Sequence, residues 1–228
     1  MSHNLAERSK LVGKTEFRIL IGAPSHDPLT GYTSQLLLDL PDLGAPTDAQ
    51  KFSRPLTYPQ LVAQKRINVS DTLVMLVFSG HGSVAALEGP GAPPGALNHS
   101  NSYSAFYDDS SLNSGPEILL AFCCQAGRDL GDSYKVDPTK QVFVGFKTKI
   151  PFLLAEGVYA ACWVEIIHGT ASAMLESKDR RELRRSILAL YDNKITYFHR
   201  GDGSDAEYAL LMEMYLLKQK QTLRFIMK

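Results

Sequence analysis

The sequence predicts an α/β protein: a three-layer α/β/α sandwich around a mainly parallel central sheet. Three observations carry this. Continuous apolar runs of strand length recur along the chain. Helical patterns separate and follow them. The runs lack the polar alternation of a half-exposed sheet, which is the mark of strands covered on both faces. The chain has 228 residues, enough for one core, with 24 basic and 24 acidic residues and a hydrophobic content of 44%. That composition excludes global disorder and gives no charge excess for tracking a phosphate backbone. Nucleic acid is therefore not expected as a partner.

Taken in order, residues 1–14 are polar and of mixed charge, and read as a flexible N-terminal segment before a single domain over 15–228. They lack the apolar stretch of a signal peptide. Phe17–Ala23 (FRILIGA) is the first strand, punctuated by Gly22 and Pro24. A short helical pattern covers Gln35–Leu40, and Tyr58–Arg66 reads as another short helix. Thr72–Phe78 (TLVMLVF) is a strand with no polar residue after Thr72. Residues 84–116 are dense in Gly, Pro, Asn and Ser, and read as a long loop. Ile118–Cys124 (ILLAFCC) and Gln141–Phe146 (QVFVGF) are further strands, separated by a loop-like 128–140. A buried helix is expected over Leu153–His168, ended by Gly169. A second falls within Thr170–Tyr191, with a solvated face at 178–185. Ile195–Phe198 reads as a short strand, and Asp205 to about Leu223 as an amphipathic helix. The apolar window Ile150–Ile167 contains Glu156 and Glu165 and reads as a core helix, so no membrane association is expected. Three cysteines, two of them adjacent, make no disulfide framework and suit a reducing, cytoplasmic compartment.

The chemistry gathers at two strand ends. One runs into Ser79-Gly80-His81-Gly82, the other into Cys123-Cys124-Gln125-Ala126-Gly127. Were the two strands parallel neighbours, their carboxyl ends would share the sheet edge where open α/β folds collect ligands. Neighbouring strands lie about 4.8 Å apart, so an imidazole beyond one end reaches a thiol beyond the other. A nearby imidazole turns a weak thiol into a competent nucleophile and then protonates a leaving amine. Side chains alternate across a strand, so only one of the adjacent cysteines faces His81. Cys124, nearer the strand's end, is the expected nucleophile, and Cys123 a small core residue.

An apolar strand ending in S-G-H-G, followed by one ending in C-C-Q-A-G, resembles the caspase-like cysteine peptidases. Among them it is most similar to the metacaspases and the bacterial CHAT kind. The resemblance spans roughly residues 15–225, but only these two motifs are specific. It implies a caspase-like fold and a cysteine endopeptidase with catalytic His81 and Cys124. It also implies an oxyanion hole formed by the backbone N–H groups of Gly82 and Cys124. Asp27 lies in the region from which such enzymes often build a substrate pocket. Gly145 and Phe146, on the strand QVFVGF, are candidates for pairing with an extended substrate. The segment 128–140 matches the cleavable linker of caspases, and is expected to be flexible, with candidate cleavage sites at Arg128, Asp132, Lys135 and Lys140. Phe122 stands where metacaspases usually carry Asp. The expected partners are a protein or peptide substrate and an effector protein encoded nearby, in a bacterial immunity or cell-death system.

No Cys and His residues have zinc-site spacing, so neither metal nor cofactor is expected. The resemblance to metacaspases, some of which need calcium, implies one exception: weak calcium binding through the loop acids Asp108, Asp109, Asp129 and Asp132. Two other functions compete. An α/β-hydrolase-type esterase would leave His81 idle and need His168 or His199 as base, and its nucleophile elbow lacks a small residue on one side of either cysteine. A non-catalytic caspase-like binding module would have no use for an intact His81 and Cys124.

Overall fold

A computed structural model describes residues 13–53, 58–83, 86–88, 104–107 and 115–228. The central sheet has the order β2-β1-β3-β6-β7-β8, formed by β1 (Glu16–Pro24), β2 (Thr47–Phe52), β3 (Thr72–Gly82), β6 (Ile118–Cys123), β7 (Val142–Phe146) and β8 (Leu223–Met227). All neighbours in this order pair in parallel except β7 and β8, which are antiparallel. Two short strands, β4 (Ala86–Glu88) and β5 (Ser104–Tyr107), form a hairpin that pairs with the end of β3. Side-chain alternation sorts the sheet into two cores. Phe17, Ile19 and Ile21 of β1, Met75 and Val77 of β3, and Ile118, Leu120 and Phe122 of β6 face one side. Leu20, Val74, Leu76, Phe78, Leu119, Ala121 and Cys123 face the other.

Helices cover both faces. On the first lie α1 (Pro28–Leu38), α4 (Val158–Glu176), α5 (Arg180–Arg200) and α6 (Ala209–Thr222). On the second lie α2 (Tyr58–Gln64) and α3 (Asp129–Val136), which contribute Leu61, Val62, Leu130 and Tyr134. The architecture is thus α/β with a mostly parallel sheet between helices, as the buried apolar runs predict. Helix α4 is long and apolar enough to cross a membrane by length and composition. Its Trp163, Ile166, Ile167 and Met174 are fully covered within the fold.

Several local expectations are corrected. Helix α1 starts earlier than its apolar residues suggest, because Asp27 caps it: its side chain accepts from the Thr30 N–H while Thr30 caps in return. Gly169 does not end α4 but lies within it, and a Cβ there would sit 2.7 Å from Leu190 Cδ2 of α5. The glycine lets two helices approach. Ile195–Phe198 is helical, the end of an α5 whose Leu183, Ile187, Tyr191 and Phe198 are buried at helical spacing. Lys14 is held in place by hydrogen bonding to the Val69 carbonyl. The segment 128–140 is not an open loop: α3 occupies its centre, Tyr134 is buried with its hydroxyl on the Pro116 carbonyl, and Lys140 is buried too. Of the long loop expected over 84–116, all but residues 86–88, 104–107, 115 and 116 lies outside the described residues, as do Asp108 and Asp109.

Candidate functional site

Strands β3 and β6 are parallel neighbours, in register from Met75 opposite Ile118 to Gly80 opposite Cys123. One step further stand His81 and Cys124. By alternation both belong to the face that carries Met75, Val77, Leu120 and Phe122. Cys124 packs at the rim of that core, whereas Cys123 is sealed in the opposite one. The strand ends touch: a Cβ on Gly82 would lie 2.6 Å from Cys123 Sγ and 2.7 Å from the Cys124 carbonyl oxygen. Glycine is required there because backbone occupies the space. Strand β3 continues past Phe78 because β4 pairs with it, His81 opposite Glu88 and Gly82 opposite Leu87.

Beyond Cys124 the chain reverses abruptly. Gln125 adopts φ +60°, and the Ala126 N–H closes a three-residue turn on the Cys124 carbonyl at 2.8 Å. A non-glycine residue in this region is sparsely populated and persists only where its surroundings over-determine it. Here they do. The Gln125 N–H donates to the Thr148 carbonyl at 3.1 Å, and the Gly127 N–H to Phe146 at 2.8 Å. Arg224 of β8 then donates to the carbonyls of Gly127 (2.6 Å) and Arg128 (2.9 Å) and pairs with Asp132. The thiol of Cys124 is half-buried, its Sγ 3.4 Å from the Ile150 N–H and 3.8 Å from the Ile150 carbonyl.

His81 donates through Nε2–H to Asp27 Oδ2 at 2.7 Å. His26 Nε2 approaches the same oxygen at 3.4 Å. Burial alone would push the Asp27 carboxyl up, but the Thr30 N–H and the His81 ring outweigh it and hold the group below the ordinary aspartate value. His26 titrates below the ordinary histidine range, chiefly through burial and further through the nearby His81 ring, with Asp27 opposing. Asp27 thus stands beside His81, and the partner of its Oδ2 is the His81 ring. His81 and Cys124 have no direct hydrogen bond to each other; each side chain is engaged elsewhere.

Gly145 and Phe146 are not available as an edge for an extended substrate. Strand β8 pairs with both, Gly145 opposite Arg224 and Phe146 opposite Leu223, while the Phe146 carbonyl accepts from Gly127. Phe122 points into the core, edge-on to Phe146, Phe152 and Trp163, so an apolar residue is what its position demands. His168 contacts the Asp42 carbonyl and His199 pairs with Glu213, so the late base of an esterase is not beside either cysteine. A basic groove of about 910 Å³ runs elsewhere, along β8, lined by Lys135, Lys147, Arg184, Lys220 and Arg224 among others.

Sequence reasoning missed His26 and Ile150. The signal for His26 was present: Asp27-Pro28 with Thr30 spells a helix N-terminus directly after a buried strand, and such turns lie at the carboxyl edge of the sheet. Ile150 had no signal, since it meets the Cys124 thiol through its backbone and not its side chain. No family model, curated protein or solved structure matches the chain.

Proposed function

We propose that the protein is a cysteine endopeptidase of caspase-like type, with Cys124 as nucleophile and His81 as general base and acid. The observation that supports this most is the parallel β3–β6 register, in which His81 and Cys124 follow the Gly80–Cys123 pair on one face of the sheet. A ring whose Nε2–H is held by the Asp27 carboxylate presents the lone pair of Nδ1 in the opposite direction, the form a general base needs. Asp27 is then a positioning residue. The reading requires His81 Nδ1 and the Cys124 thiol to close on each other around substrate, as catalytic hydrogen bonds commonly tighten only there.

In the reaction, Nδ1 of His81 takes the thiol proton and Sγ attacks the peptide carbonyl carbon. In this reading the oxyanion is held by the N–H groups of Gly82 and Cys124. The His81 proton passes to the departing amine as the C–N bond breaks, leaving a thioester on Cys124. Water, deprotonated by the same ring, hydrolyses the thioester. The substrate is a protein or peptide.

The test is labelling by a peptidyl acyloxymethyl ketone, combined with digestion of an unbiased peptide library. Wild-type protein and the Cys123→Ala variant are expected to label and to cleave. Cys124→Ala is expected to lose labelling and at least about 10³-fold in kcat. Labelling lost only in Cys123→Ala, or a folded wild type that cleaves no peptide, overturns the reading.

A further inference from the structure

We propose that His26, Asp27 and His81 form a binding site for a divalent transition-metal ion of zinc's class, and that its occupancy silences the peptidase. One ligand atom from each of His26, Asp27 and His81 lies within 4.8 Å of the other two. In a tetrahedral zinc site with bonds of about 2.0–2.1 Å, ligand atoms stand about 3.4 Å apart. The His26–Asp27 separation of 3.4 Å already meets this. The His81–Asp27 pair, at 2.7 Å, needs to open by less than an ångström, a change that trades one hydrogen bond for two metal bonds.

The outer contacts suit the same role. Asp27 Oδ1 accepts the Thr30 N–H at 2.9 Å, which aims Oδ2 at the two imidazoles as a single-oxygen ligand. Thr30 Oγ1 lies 3.5 Å from His26 Nδ1, the partner that leaves Nε2 of that ring for a metal. Two imidazoles converging on one carboxylate oxygen are more than a helix cap requires. Imidazole with one carboxylate favours zinc, copper or nickel over magnesium or calcium. The ligands are a histidine–aspartate dipeptide at a helix start and a residue two strands away in sequence, so no Cys/His spacing motif announces them.

Metal binding stands without the peptidase reading, whereas the silencing rests on it. A neutral imidazole that gives its Nε2 lone pair to a metal carries its proton on Nδ1. His81 then has no lone pair with which to take the Cys124 proton.

Zinc affinity of the full chain is measured by competition with a chromophoric chelator, with magnesium as control, and the cobalt(II) derivative is examined by absorption. One equivalent of zinc is expected to bind. His26→Asn and His81→Asn are each expected to weaken binding roughly tenfold or more. Cys124→Ala is expected to keep wild-type affinity, and the cobalt spectrum to lack a thiolate charge-transfer band. Zinc is expected to raise the melting temperature of the wild type and not of His26→Asn, whose own melt establishes that it is folded. Absent one-to-one binding, an unaffected His26→Asn, or a thiolate band that Cys124→Ala removes overturns the site. Cleavage that persists with zinc bound overturns the silencing. A protein that binds zinc as described but cleaves nothing with zinc removed overturns the peptidase reading alone.

Discussion

Asp27 does two things from one position. It caps α1 by accepting the Thr30 N–H at Oδ1, and its Oδ2 faces His81. Because its folded carboxyl titrates below the ordinary value of 3.8, it contributes stability that is complete above that value. That contribution is lost as the pH falls through the folded value. Asp27→Asn is therefore expected to flatten the decline of stability below about pH 4, measured as urea midpoints across an acid series. In the same variant kcat is expected to fall by about two orders of magnitude with KM little changed, since the ring loses its orienting anion. Equal loss in kcat and folding stability alone would reduce Asp27 to a cap. At this scale the sequence was legible where rare residues close buried strands, as at His81 and Cys124, which the β3–β6 register brings to neighbouring positions. It was illegible where the geometry depends on which partner a common residue meets, as for Asp27 beside His81, and on backbone alone, as for Ile150 beside Cys124.

The shelf beyond Cys124 is built by elements rather than by one residue. Gly127 lies where the turn crosses β7: a Cβ there would sit 2.7 Å from the Phe146 carbonyl carbon and 2.9 Å from its oxygen. Both atoms are backbone and cannot step aside. Gly127→Ala is expected to cost about 1–3 kcal/mol in urea unfolding and to displace the Cys124 turn, with peptidase activity lost beyond what the stability change explains. The four inner strands were readable as strands because burial on both faces makes them continuously apolar. Strand β2 was not, because Thr47–Phe52 (TDAQKF) is a polar edge strand. Strand β8 was hidden for another reason. Helix α6 passes into it at Thr222–Leu223 without a glycine or proline to mark the change. Helix α3 was masked by the Gly, Asp, Ser and Lys content of its short sequence, which reads as loop until Leu130 and Tyr134 are seen to be buried together.

Across the whole molecule, one sheet ties both cores together, and the sole tryptophan, Trp163, is fully buried against Phe122 and Phe152. Loss of indole fluorescence and loss of far-ultraviolet dichroism are therefore expected to coincide in denaturant. Separated transitions would mean that the Trp163 side of the sheet melts on its own. The three thiols are graded in depth: Cys124 stands at the rim, while Cys123 and Cys162 are enclosed on opposite faces of that sheet. The native protein should accordingly gain one alkyl group from iodoacetamide, read by intact mass. The second and third additions should then arrive at the pace of opening on each flank, so the order in which they appear reports which layer parts first.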